Sequence, residues 1–153
     1  MMKAITRFAY YSLSAAALTA SAFATTPQGW MADLDKAFAK AKMEKKAVLV
    51  EFTGSDWCPP CIVLKKDVFS QKEFVTAASK KFILVEVDFP RAQPDVAKKN
   101  EPLMEKYKVD GFPTVLLFTS DGKEFTRFDA TQFPSVSEFL KHLNEALEKK
   151  DLD

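Results

Sequence analysis

Cysteine and histidine are scarce: the 153 residues include two of the first and one of the second. A fold stapled by several disulfides is therefore excluded, because the only thiols form one close pair, Cys58 and Cys61. A zinc centre is disfavoured as well. Zinc takes four ligands, and the lone His142 lies far along the chain on a helix. No repeat, low-complexity tract or Gly/Ser linker divides the chain, so its length and 47% apolar content correspond to one domain with a real core. No basic block is interleaved with aromatics, which argues against nucleic acid as a partner.

Lys3 and Arg7 flank an apolar run from Phe8 to Leu18, and Ala22-Phe23-Ala24 places small residues where a signal peptidase reads them. The run is short of the roughly 20 residues that span a bilayer, and no cysteine follows it to carry a lipid anchor. Residues 1–24 are expected to be a signal peptide and residues 25–153 the folded domain. A periplasmic or secreted protein is the expectation, with no stable membrane insertion after cleavage. Without Lys3 and Arg7, 20 basic residues face 21 acidic ones, so the mature chain is no polyanion binder.

Export implies an oxidising compartment, where disulfides persist. As a staple, a Cys58–Cys61 bond would be badly placed. A loop of about four residues gives roughly 2 kcal/mol in the chain-entropy model, against about 3 for fifteen. Two sulfurs could also hold Cu(I), although no third soft ligand is evident near them. If the apolar run Ala47–Phe52 is a buried strand and a helix begins at Pro59-Pro60, Cys58 sits at a helix N-terminus, where positive partial charge favours a thiolate.

Apolar residues at helical spacing predict an amphipathic helix from Trp30 to about Lys45. Ala47–Phe52 reads as a strand covered on both faces, interrupted by Glu51. A carboxylate there is costly unless neutral, paired or wetted, so Glu51 is either a proton acceptor or donor for the buried thiol Cys61 or a side chain escaping at the strand end. The helix after the cysteines continues through Leu64 to Val68 or Phe69, with Lys65, Lys66 and Asp67 on its other side. Ser70 and Glu73 form a capping box for a short helix, and Phe82–Asp88 is a second strand, parallel to the first. An irregular loop from Phe89 to Lys99, with room for one helical turn, leads to a helix capped by Asn100 with Pro102 in its first turn. Strand Val115–Phe118, an Asp121-Gly122 turn and strand Glu124–Phe128 make a hairpin. Ser135 and Glu138 form a second capping box for a final helix, on which His142 is expected to be solvated.

This order, with Trp57-Cys58-Pro59-Pro60-Cys61 between strand and helix and Gly111-Phe112-Pro113-Thr114 before the hairpin, resembles the thioredoxin family over roughly Trp30 to Leu147. The resemblance implies an α/β thioredoxin fold: a central mixed sheet of about four strands flanked by helices, with an extra N-terminal helix. It also implies that Cys58 is the attacking thiol, Cys61 the resolving one, and Pro113 a cis proline beside them. Trp57 would shield the pair, Phe112 would tune substrate preference, and Glu51 is similar to the family's buried acid, one residue further from the cysteines. The Thr53-Gly54-Ser55-Asp56-Trp57-Cys58 run resembles secreted bacterial members with a longer loop. Two positions depart from the pattern: Leu84 falls near the place of the lysine that accompanies the buried acid, and Phe128–Phe133 lacks the usual glycine after the last strand.

The implied activity is thiol–disulfide exchange with exported protein substrates, recharged by a redox partner, by a monomer that needs no cofactor. Pro59 and Pro60 remove two N–H donors from the helix start, which holds the Cys58 pKa above that of a strong oxidant and favours the reductase direction. The alternative is a non-catalytic binding module for a client peptide or Cu(I).

Overall fold

The computed structural model describes residues 26–152; the expected signal peptide lies outside the described residues. A five-stranded mixed sheet runs in the order β1-β3-β2-β4-β5. Its strands are β1 (Trp30–Met31), β2 (Ala47–Thr53), β3 (Phe82–Asp88), β4 (Thr114–Phe118) and β5 (Glu124–Asp129). β1, β3 and β2 are mutually parallel, while β4 lies antiparallel to both β2 and β5. The helices are α1 (Leu34–Glu44), α2 (Pro59–Leu64), α3 (Lys72–Ala78), α4 (Pro94–Tyr107) and α5 (Val136–Leu152).

Alternation along β2 and β3 divides the core. Val48, Val50, Phe52, Ile83, Val85 and Val87 pack with residues of α1 and α4 on one face. Leu49 and Leu84 face the other way, against Leu64 of α2, Phe74 of α3 and Phe139 and Leu143 of α5. The period of 2 therefore puts Glu51, Thr53, Glu86 and Asp88 on the same face as the α2 helix.

Five expectations are corrected. The sheet has a fifth strand, because the first helix does not begin at Trp30. Asp33 accepts the Lys36 N–H at 3.0 Å as N-cap of α1, and Trp30 instead joins the sheet edge and donates from Nε1 to the Phe69 carbonyl at 3.2 Å. The Ser70–Glu73 box does not form: Ser70 ends a single π turn, Lys65–Phe69, that continues α2, and Gln71 is the N-cap of α3 without a side-chain cap. α4 begins at Pro94, well before Asn100, whose buried amide donates to the Asp88 carbonyl at 2.8 Å rather than capping a helix. Pro102 therefore lies inside α4. His142 is half-buried, stacked on Phe133 at 4.0 Å and edge-on to Phe128 at 4.4 Å, and this burial pushes its pKa down.

The hairpin turn and the second N-cap hold. The Asp121-Gly122 turn places Gly122 at φ +88, where a side chain would be strained, and its N–H donates to the Thr119 carbonyl. The Ser135 hydroxyl accepts the Glu138 N–H at 3.3 Å, the N-cap half of the capping box, and donates to the Glu138 carboxylate at 2.6 Å, which therefore meets the Ser135 side chain rather than its backbone N–H.

Candidate active site

At the C-terminal end of β2 the chain turns through Gly54–Trp57 into α2, and Cys58 is the N-cap residue of that helix. Its N–H donates to the Gly54 carbonyl and its carbonyl accepts the Ile62 N–H, each at 3.0 Å, which fixes the loop from both sides. Pro59 and Pro60 occupy the first two helical positions, so the first backbone N–H following Cys58 belongs to Cys61. Cys58 and Cys61 form a disulfide with Cα atoms 5.2 Å apart. The pair is asymmetric: Cys61 is 0% exposed, whereas Cys58 reaches the surface at 5%.

An aromatic ladder borders the pair. Trp57 meets Phe112 edge-on at 6.0 Å, and Phe112 stacks on Phe89 at 5.1 Å. The Phe112–Pro113 peptide bond is cis, and Pro113 is buried. Trp57 Nε1 donates to the Phe89 carbonyl at 2.7 Å, and the Arg91 guanidinium lies 4.7 Å from the Trp57 ring centre. Asp56 accepts the N–H groups of Ala92 and Arg91 at 2.8 and 2.9 Å, which hold its carboxyl below the usual carboxylate range. The extra loop length before the cysteines is thus used to clasp the segment after β3. Gly54 has a steric reason of its own, since a Cβ there would sit 2.5 Å from the Trp57 ring. After β5, a 3-10 turn (Ala130–Gln132) brings the Ala130 N–H to the Pro113 carbonyl at 3.3 Å, with Ala130 fully buried where the glycine was expected.

On the face of the sheet that α2 covers lies a row of acids. Glu51 and Glu86 are register partners on β2 and β3, both buried, and Thr53 pairs with Asp88 one step further along. Among the described residues neither Glu51 carboxylate oxygen has a partner at full hydrogen-bond geometry, although the nearby Thr53 hydroxyl slightly favours the charged form. Burial, followed by the charge of Glu86, pushes the Glu51 carboxyl well above its ordinary range, against the opposing effect of Lys65. Lys65 Nζ is 2.9 Å from Glu86 Oε2, at ion-pair distance but without the angle of a directed hydrogen bond. Burial still raises the Glu86 pKa overall. Asp88 is differently placed: it accepts both the N–H and the hydroxyl of Ser55.

The thioredoxin-like family model matches residues 29–120. The chain belongs to the thioredoxin-like family. Its similarity to the disulfide bond reductase DsbH of Chlamydia pneumoniae is 37% identity over 95 residues, 60% of this chain and 57% of that protein. It is 34% identical over 116 residues to the thiol:disulfide interchange protein DsbD of Klebsiella pneumoniae, 75% of this chain and 18% of that protein. A solved DsbH oxidoreductase superposes with a TM-score of 0.69 at 26% identity, covering 92% of this chain and 95% of that one. The chain thus spans at most 57% of the curated relatives named here.

Of the residues expected from the thioredoxin-like pattern, the structure joins Cys58 to Cys61 and brings Trp57 against Phe112, next to the cis Pro113. It places Glu51 inside the protein at 1% exposure, so the side chain does not escape at the strand end. Missing lysine notwithstanding, a cation is present: Lys65 comes from the cysteine helix rather than from β3, and it does not lie on the outer side with Lys66 and Asp67. Its spacing of four from Cys61 was the available signal, since positions i and i+4 share a helix face. Glu86, Phe89 and Arg91 carried no comparable signal, because their relation to the site depends on strand register and on the loop clasp.

Proposed function

We propose that this protein is a thiol–disulfide oxidoreductase for exported protein substrates, working in the reductase direction as a monomer. The observation that carries the reading is the asymmetric Cys58–Cys61 disulfide at the helix start, in which Cys58 keeps 5% exposure and Cys61 none. In the reduced protein, Cys58 thiolate attacks a substrate disulfide; one substrate sulfur leaves with its electron pair and takes up a proton, and a mixed disulfide forms. Cys61 then loses its proton and attacks Cys58 Sγ, which closes the internal disulfide and expels the second substrate thiolate. Two electrons pass from the cysteine pair to the substrate. A dithiol redox partner restores them by the same steps in reverse.

Glu51 serves as the proton partner of Cys61. It holds a proton in the oxidised protein, gives it to the Cys61 thiolate when a partner attacks Cys58, and takes it back when Cys61 becomes the nucleophile. Its burial, its unpartnered oxygens and its raised pKa support this role. Trp57 and Phe112 form the surface on which a substrate chain is laid beside Cys58, and the buried cis Pro113 sets the backbone of that segment. Paired prolines at the helix start support the reductase direction, because few N–H donors stabilise the Cys58 thiolate.

Disulfide reduction of an insulin-type substrate tests the reading. The parent protein is expected to turn over, Cys61→Ser to accumulate a mixed disulfide through Cys58, and Cys58→Ser to do neither. Substrate binding without turnover by the parent, unchanged in Cys58→Ser, would point to a non-catalytic binding module instead. Export rests on the Lys3–Ala24 pattern, and among the described residues no helix is long and apolar enough to cross a membrane. Mass spectrometry of the exported protein is expected to find Thr25 at its N-terminus.

A further inference from the structure

The sheet places two carboxyl groups where one was anticipated. Glu51 and Glu86 face the cysteine helix from adjacent parallel strands, in direct register and within 4% of complete burial. Neighbouring strands lie about 4.8 Å apart, so two buried charges of the same sign there repel strongly. The two groups are not equivalent. Lys65, on the same helix face as Cys61, approaches Glu86 at 2.9 Å, whereas among the described residues Glu51 has neither an ion pair nor a hydrogen bond of full geometry.

The remaining neighbours do not remove this difference. Asp88, the third acid on this face, is occupied by Ser55 and adds repulsion to both glutamates. On the other side of Glu51, its register partner on β4 is the apolar Val115, and next along β2 is the hydroxyl of Thr53. Among the described residues Lys65 is the cation acting on both carboxyls. A single cation offered to two buried acids stabilises one charge, and geometry assigns that charge to Glu86.

We propose that Lys65 and Glu86 are positioning residues of the exchange site: Lys65 keeps Glu86 ionised, and ionised Glu86 keeps the proton on Glu51. The cysteine helix thereby contributes both the sulfur that changes state and the cation that sets the proton affinity of the acid below it. The consequence for rate rests on the exchange reading, but the proton assignment does not.

Carbon-13 NMR titration of the glutamate carboxyls in the oxidised protein isolates the acids, because disulfide sulfurs do not titrate. The parent is expected to show two coupled midpoints, the lower mainly from Glu86 and the upper mainly from Glu51. Glu86→Gln should leave Glu51 titrating below the parent's upper midpoint, with proton affinity lowered about tenfold or more, the usual effect of removing a charge within about 4–6 Å. Lys65→Gln should raise both midpoints, and adding it to Glu86→Gln should raise Glu51 again. Lys65→Arg should restore the parent values.

A purely structural role for the pair would not produce shifts of opposite sign. An unchanged or raised Glu51 midpoint in Glu86→Gln, or unmoved midpoints in Lys65→Gln, would overturn the inference. Lys65 is partly exposed, so that variant keeps the test open if Glu86→Gln does not fold. The pH profile of insulin reduction separates the two ideas. If the midpoints move as stated and the profile does not follow, the inference stands and the Glu51–Cys61 proton exchange is the part that fails.

Discussion

Glu51 illustrates how a single residue ties burial to pH. An unfolded glutamate titrates near its ordinary value of 4.5, and the folded protein holds that proton to a higher pH. The contribution to stability is therefore complete below about 4.5 and is lost as pH rises toward the folded value. Glu51→Gln is expected to remove most of this slope and to leave the oxidised protein more stable than the parent on the alkaline side. Glu86, also raised, should leave a weaker slope of the same sign. Denaturant unfolding across pH measures this, and parallel curves for parent and variant would count against a buried, proton-bearing Glu51. The cost of a carboxyl in an apolar strand was readable from the sequence alone. Its pairing with Glu86 was not, because register between parallel strands joined by a long crossover leaves no local mark in either strand.

Among the secondary-structure elements, the two candidate capping boxes separate propensity from use. Both Ser70–Glu73 and Ser135–Glu138 have the required spacing, yet only the second makes the N-cap hydrogen bond. The first is pre-empted because the π turn runs to Phe69, and Ser70 donates its N–H back to the Lys65 carbonyl at 2.8 Å. Ser135→Ala is accordingly expected to cost about 1 kcal/mol in thermal or denaturant unfolding, and Ser70→Ala only a few tenths. Equal losses would contradict the assignment. β1 and the early start of α4 were hidden for a related reason. Trp30 and Leu34 share helical spacing by coincidence while Asp33 caps between them, and Asn100 spends its amide on the Asp88 carbonyl. A short edge strand of two residues has no periodicity to read.

Across the whole molecule, the cysteine loop leaves the C-terminal end of β2, and the cis proline segment enters β4, which pairs antiparallel with β2. The two stretches are about fifty residues apart in the chain, and the sheet makes them neighbours. This much was legible, because apolar runs, the Cys-Pro-Pro-Cys spacing and the Phe-Pro pair fixed the strand, helix and hairpin order. The loop clasp made by Asp56 and Trp57 was not, since it depends on backbone groups of Phe89, Arg91 and Ala92 whose positions follow only from the completed fold. In the proposed reductase reading the paired prolines bear on the direction of electron flow through the Cys58 thiolate, and the clasp bears on the surface offered to substrate. Equilibration of the Cys58–Cys61 pair in glutathione buffers is the most direct test of the account. It predicts a reduction potential at or below about −220 mV, the upper end of the glutathione poise, whereas a potential close to about −120 mV, as in a strong oxidant, would contradict it.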